Sequence, residues 1–236
     1  MKQIAIVADM HGNWPATRTL DRDLKRRGIT EIYCLGDMIG KGPSSKDTMR
    51  WSLEHCKIIL QGNWEEGIGL KQYPKDEFYY EQLGEEYMAL LPTLPMEHSF
   101  TLSGRRIRMI HGRPLLADAV GVHREESYFR PLLENHDVLI YADAHKIGMR
   151  LLTGSKMVIN CGSVGNGLNL NMVQYLILTG DEQDETAPFD VNLVTIPYDN
   201  QQAANDALEA EKRGLVKGDL FAKEVLTGVY ARHPKK

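Results

Sequence analysis

The sequence predicts an α/β protein built on two sheets, and three observations carry the prediction. Ile4-Ala5-Ile6-Val7-Ala8 is a run of small or branched apolar residues that reads as a buried strand. From there to Asn63, short apolar runs alternate with helix-patterned segments, the pattern of α/β layering. Further apolar runs follow beyond His98, and they share a peculiarity with the first: they stop at a carboxylate, an imidazole or a carboxamide, mostly beside glycine.

The opening strand ends at Asp9-Met10-His11-Gly12-Asn13, which a buried strand does not need for its own structure. Asp and His at this spacing, on a turn that glycine lets bend sharply, can reach one point in space. Ala16 to Arg27 reads as a helix, with Leu20 and Leu24 four apart and Gly28 as its stop. Glu31 to Leu35 is a strand running into Gly36-Asp37, followed by a turn-rich loop from Gly40 to Ser45 and a helix from Ser45 to Glu54. Cys56 to Gln61 is the third strand, ending at Gly62-Asn63. Gly67 to Pro95 breaks the alternation: Glu77 to Leu91 is an aromatic-rich helix expected to pack over the sheet edge or wall a site.

Ser99 to Ile110 has the form of a hairpin turning at Ser103-Gly104, and its second strand leads into His111-Gly112. Arg113 to Asn135 holds a loop and a helix around Ser127 to Glu134. Asp137 to Tyr141 and Lys156 to Cys161 are strands ending at Ala142-Asp143-Ala144-His145 and Gly162-Ser163. Val173 to Thr179 and Val191 to Ile196 flank an acidic hairpin tip, and helices follow over Ala203 to Lys212 and Leu220 to Leu226. No repeat or low-complexity linker divides the chain. Residues 1–236 are therefore expected to form one domain, with 67–95 and 113–135 as helical or loop insertions near the site and 201–236 as a C-terminal helical extension.

A chain of 236 residues can bury a substantial core, and 42% hydrophobic with 25% charged residues is ordinary for a soluble globular protein. The formal charge of −4, with dispersed basic residues, argues against nucleic acid or an anionic membrane as partner. Cys34, Cys56 and Cys161 are odd in number and mostly in apolar surroundings, so core thiols in a reducing compartment are expected. The N-terminus lacks a secretory pattern and no run reaches membrane-spanning length, which makes a cytoplasmic location the expectation.

The strand ends together contribute Asp9, His11, Asp37, Asn63, His111, Asp143 and His145. In layered α/β proteins such ends share one rim, where ligands bind. Singly the members are weak, since Gly36-Asp37 and Gly62-Asn63 are ordinary turn signatures. Five separate apolar strands ending this way make a metal centre the expectation. Oxygen and imidazole donors suit Mn, Fe, Zn or Ni, and their number suits two ions. Two ions about 3.5–4 Å apart sharing a hydroxide form a clamp for in-line attack on a phosphoryl group, which makes hydrolysis of a phosphate ester the expected reaction.

At these residues the chain resembles the calcineurin-like metallophosphoesterase superfamily, in its YfcE-like branch of small phosphodiesterases. Asp9-Met10-His11-Gly12-Asn13 matches that family's D-x-H-G-N, Gly36-Asp37 with Gly40-Lys41-Gly42-Pro43 its G-D and G-x-G-P, Gly62-Asn63 its G-N, and His111-Gly112 its H-G. Asn160 to Gly165 and Ile196 to Asp199 match further segments, so the resemblance spans roughly residues 1–200. It implies a four-layer α/β/β/α sandwich of two mixed sheets flanked by helices. It also implies two divalent ions acting on a small phosphorylated substrate, nucleotides included. Asp9, His11 and His145 would hold the first metal, Asp37 would bridge, and Asn63 and His111 would hold the second.

Two positions depart from the family pattern. Asp143 stands where the family has the first His of G-H-x-H, and is expected to ligate the second metal through oxygen. Its added charge would favour a harder ion, making Mn²⁺ the first expectation. Trp64 stands where one branch has a histidine that assists the leaving group, and indole cannot transfer a proton at useful pH. Its ring could stack on a base or aryl group, or pack beneath Glu77 to Leu91. Arg113 and His123, on the loop after His111, are candidates for the missing catalytic assistance. Arg113 suits a phosphate oxygen, and an ordinary surface position equally. Asn13 is placed with Trp64 and Arg113 among the substrate contacts, and Lys41 reads as a solvated loop lysine. His55, His98, His136 and His233 lack a ligand context. The competing readings are a scaffold or binding module that keeps the fold, and a nuclease, which the acidic balance and the absence of a basic stripe disfavour. A homo-oligomer is compatible with the sequence.

Overall fold

The computed structural model describes residues 1–72 and 75–232; His233 lies outside them. Period-two patterning places two five-stranded sheets face to face. The first contains β1 (Lys2–Val7), β2 (Glu31–Cys34), β3 (Ile58–Ile59), β9 (Val173–Gly180) and β10 (Asp190–Ile196), in the order β10-β9-β1-β2-β3. The second contains β4 (Glu97–Leu102), β5 (Arg105–Ile110), β6 (Val138–Tyr141), β7 (Gly148–Leu152) and β8 (Lys156–Asn160), in the order β4-β5-β6-β8-β7. Both sheets are mixed. β1 pairs parallel with β2 and antiparallel with β9, while β6 pairs parallel with both β5 and β8.

Alternation along each strand decides which layer a side chain joins. Ile4, Ile6 and Ala8 point between the sheets, where they meet Ile107, Met109, Val138 and Ile140 from the second sheet. Ala5 and Val7 point the other way, onto α1 (Trp14–Arg27), α6 (Asn200–Glu211) and α7 (Gly218–Thr227), with α2 (Ser45–His55) and α4 (Glu77–Leu90) in the same core. On the outer face of the second sheet, Leu139, Tyr141 and Val158 pack with Phe129 and Leu133 of α5 (Glu126–Leu133). The result is the expected α/β/β/α sandwich. Fully buried side chains such as Ile6 contribute roughly 1.5–3 kcal/mol each, and Ile6→Ala would cost roughly 2–5 kcal/mol through the cavity it leaves between the sheets. Among the described residues, no helix is long and apolar enough to cross a membrane. Cys34 and Cys161 are buried and Cys56 half-buried, all three as free thiols.

Four elements differ from the sequence expectation. The third strand shrinks to two residues because it pairs only with Tyr33 and Cys34 at an edge, after which the Gln61 N–H turns to the Pro95 carbonyl. α4 is interrupted at Gly84, whose left-handed φ of 69° breaks the turn. β7 was not expected: its residues alternate half-buried and exposed on an edge, so no apolar run marks them. A seven-residue helix, α3 (Asn63–Gly69), also starts on a presumed ligand.

Glu31 at the start of β2 accepts from Tyr33 Oη at 2.5 Å and from Lys57 Nζ at 3.1 Å, and pairs with Lys2 at 2.9 Å. Partial burial opposes its charge, but these donors outweigh burial and pull its carboxyl down to about 2. A folded-state value below the unfolded one stabilises the protein above the unfolded value, and that contribution disappears as pH falls through the folded value. Glu31→Gln is expected to cost about 1 kcal/mol at pH 7 once solvent screening is counted. Thermal melts of the two proteins should converge as pH is lowered from about 4.5 towards 2.

Candidate metal centre

The ligand-bearing loops leave adjacent strand ends and are bonded to one another. The N–H groups of Asp9, His11 and Gly12 donate to the carbonyls of Gly36, Asp37 and Met38, and Ala142 N–H donates to His111. The carbonyl of Asp9 in turn accepts from Gly165 N–H and Ser163 Oγ. Asp9, His11, Asp37, Asp143 and His145 all sit at left-handed φ between 47° and 64°. For residues with a Cβ each such position costs on the order of 1 kcal/mol or more, and it persists only where the surroundings over-determine it, as this interloop network does.

The three imidazoles follow one rule. Nδ1 of His11 lies 3.2 Å from the Ile39 carbonyl, Nδ1 of His111 is 2.8 Å from that of Leu35, and Nδ1 of His145 is 2.8 Å from that of Asn166. A carbonyl only accepts, so each Nδ1 carries a proton and each Nε2 is turned to the interior. Burial, with Lys41 adding to it, holds His11 and His145 well below the usual imidazole range, and both are neutral. Their Nε2 atoms nonetheless face each other at 3.1 Å. Two lone pairs at that separation share no proton, and a cation between them satisfies both. His111 differs: burial opposes its charge, but Asp37, Asp9 and Asp143 outweigh burial and raise it well above the ordinary value.

Two triads emerge, Asp9-His11-His145 and Asp9-Asp37-His111, each with its donor atoms within 4.8 Å of one another. Asp37 Oδ2 lies 3.5 Å from His11 Nε2 and 3.4 Å from His111 Nε2, one imidazole of each triad, while its Oδ1 accepts from Trp64 N–H at 2.9 Å. Asp9 Oδ1, 3.4 Å from His145 Nε2, is buried without a hydrogen-bond partner, as are His111 Nε2 and Asn63 Oδ1. Burying unpartnered polar atoms costs about 1–3 kcal/mol each, and Asp9 Oδ1 and His111 Nε2, 3.9 Å apart beside the facing imidazoles, fit bound cations.

The calcineurin-like phosphoesterase superfamily domain matches residues 1–183. The chain belongs to this superfamily. An uncharacterized protein of Methanocaldococcus jannaschii, MJ0912, is 25% identical over 85% of this chain and 89% of its own length. The hypothetical protein PH1004 of Pyrococcus horikoshii has the same fold over 98% of this chain and 100% of its own, with a TM-score of 0.77 at 20% identity. A metallophosphoesterase of Sphaerobacter thermophilus does so over 97% and 99%, with a TM-score of 0.73 at 18% identity. With both triads in place, this calcineurin-like protein is a metal-dependent phosphoesterase acting on small phosphate esters.

Around the triads lie the other residues singled out from the sequence. Asp143 is in neither triad. Both its oxygens accept from Arg113, Nε at 2.9 and 3.1 Å and Nη2 at 2.6 Å, so the carboxylate is turned to the guanidinium. Arg113 is thus fixed at the rim with its side chain 42% exposed. Asn13 is a helix cap: Oδ1 accepts from Ala16 N–H, and Nδ2 donates to the Gly165 carbonyl and to Tyr198 Oη, which consumes its capacity in the core. His123 is exposed in a shallow cleft with Arg124, Glu125 and Tyr128, away from every ligand contact described above. Trp64 packs against α4, edge-on to Tyr79 at 6.1 Å and to His11 at 5.9 Å, and its ring lies over Gly40 where any Cβ would collide. Lys41 is not solvated. It is 7% exposed, with Nζ 3.3 Å from His145 Nε2 and 3.2 Å from Asn166 Oδ1, and burial pushes it down to about 8.

Sequence reasoning missed Glu65 altogether. Its carboxylate accepts from the N–H groups of Asp37 at 2.7 Å, Gly62 at 2.8 Å and Met38 at 2.8 Å, tying the two metal loops together. Burial and the nearby Asp37 charge push it up to about 7. The signal was present in Gly62-Asn63-Trp64-Glu65: a glutamate at the third helical position reaches back to the N-terminal amide. Glu65→Ala strands three buried donors and should lower the urea-unfolding free energy by about 3 kcal/mol or more. The same variant should retain less metal by elemental analysis, because the Asp37 and Asn63 loops lose their common anchor.

Proposed function

We propose that the protein hydrolyses small phosphate esters at a dinuclear centre, with Asp9, His11 and His145 holding one ion and Asn63 and His111 the other. Asp37 bridges them. The observation that carries this reading is the pair of neutral imidazoles facing at 3.1 Å with Asp37 Oδ2 equidistant from one imidazole of each triad. Two divalent ions, if bound there, would supply positive charge for the phosphoryl oxygens and lower the pKa of a water. The chain's own residues orient the ester. Arg113, pinned by Asp143, offers its planar fork to a phosphate oxygen from the rim. Lys41, buried against the first triad, offers a second cation to the same phosphate.

Because Arg113 already meets the Asp143 charge, that charge no longer argues for a hard ion. The preference for Mn²⁺ over Zn²⁺ or Ni²⁺ now rests on the oxygen donors of Asp9, Asp37 and Asn63. Trp64 supports an aryl or nucleoside leaving group, since its half-buried ring is a flat apolar surface beside His11.

Two experiments test this. The manganese-loaded protein should turn over bis(p-nitrophenyl) phosphate, and Asp37→Asn should lower kcat by about 10²–10³-fold; a fully loaded protein without turnover of mono- or diesters would count against the reading. Asp143→Ala and Arg113→Ala should each lower kcat/KM by about 10-fold while elemental analysis still finds two ions per chain. Loss of one ion in Asp143→Ala alone would make Asp143 a ligand after all.

A further inference from the structure

Helix α7 lies beyond the stretch matched by the superfamily domain, yet Phe221 and Glu224, one turn apart on the same face, reach the loops of the metal centre. Phe221 is fully buried and seats on Gly42, where its Cζ stands 2.9 Å from the position a Cβ would take. The loop carrying Lys41 can approach α7 this closely only because residue 42 has no side chain. Glu224 is also fully buried. It accepts from Ala231 N–H at 3.0 Å, from Arg232 Nε at 3.4 Å and from Asn166 Nδ2 at 3.3 Å. A buried carboxylate is costly unless surrounded in this way. Two of its donors come from the chain just after its own helix, and the third comes from the metal site.

Asn166 joins three groups. Its carbonyl takes the Nδ1 proton of His145, its Oδ1 accepts from Lys41 Nζ at 3.2 Å, and its Nδ2 donates to Glu224. A carboxylate offers lone pairs only, so it decides which way the amide turns: NH₂ towards α7 and oxygen towards Lys41. We propose that Glu224 is a positioning residue of the substrate site, which by setting the Asn166 amide holds the Lys41 ammonium against the first metal triad to meet the substrate phosphate. Helix α7 is then a working part of the phosphate site. The inference rests on Lys41 contacting phosphate, as proposed above.

A carboxylate that served only to anchor the C-terminal segment would affect stability and leave phosphate affinity alone. Glu224→Gln separates the two roles, because its new amide can donate to Asn166 Oδ1 and draw that oxygen away from Lys41. Calorimetric binding of inorganic phosphate to the manganese-loaded protein should weaken by about 10-fold. KM for p-nitrophenyl esters should rise by about the same factor, with kcat changed less than about 3-fold. Combining Glu224→Gln with Lys41→Met should add nothing beyond Lys41→Met alone, since both act through one ammonium. Unchanged phosphate affinity in Glu224→Gln, or losses that multiply in the double variant, would overturn the proposal. If Glu224→Gln fails to fold, Asn166→Ala interrupts the same chain of contacts while leaving the backbone carbonyl on His145, and unchanged phosphate affinity there is equally decisive against it. A natural protein that turns over no ester would refute the hydrolase reading, while the phosphate-binding arm would still decide the role of Glu224.

Discussion

Three backbone carbonyls, those of Ile39, Leu35 and Asn166, dictate the chemistry of this protein. By accepting from Nδ1 of His11, His111 and His145, they turn the three Nε2 atoms into one small buried volume. The opposed imidazoles at 3.1 Å and the unpartnered Asp9 Oδ1 are then unfavourable on their own terms, and bound cations relieve them. The rest of the site serves this constraint. The carbonyls stand where they do because neighbouring loops bond to one another at the strand ends, with five of the nearby residues held at left-handed φ.

The sheets supply the rigidity that makes such loops affordable. β1 and β6 lie in the middle of their respective sheets and carry the Asp9-His11 and Asp143-His145 loops at their C-terminal ends. Inter-sheet packing of Ile4, Ile6, Val138 and Ile140 fixes the two strands relative to each other. A shift of either sheet would move imidazoles that now stand about a van der Waals contact apart. Glu65 performs the corresponding task within the first sheet, where its three backbone hydrogen bonds bind the Asp37 loop to the turn before Asn63.

Strand-borne ligands were legible because they contrast with their context: Asp9 after Ile4 to Ala8, or His111 after Met109-Ile110, has no packing reason to be there. Residues whose role depends on distant partners were not legible. Lys41 looks like any lysine between two glycines, and what buries it is Asn166 and the face of α7, more than a hundred residues away in the chain. Asp143 was read from its place in a motif, whereas its orientation is decided by Arg113. Asn13 followed a glycine in a presumed ligand loop, but the proline two residues on already marked it as the cap of α1. The break at Gly84 and the edge strand β7 left no apolar pattern to read, because edges and kinks bury too little.

The pairing of β1 has a consequence for the order in which the protein assembles. Asp9 and His11 are made before every other ligand, yet β1 is closed on one side by β9, with Ile4 opposite Leu178, and the Asp9 carbonyl is held by Ser163 and Gly165. These contacts bridge more than 150 residues, the kind of long-range closure that comes late in folding. The earlier-synthesised ligands are therefore immobilised by later-arriving segments. A nascent chain exposes its Asp-x-His pair as loose donors, and a selective metal pocket exists only once β9 has emerged.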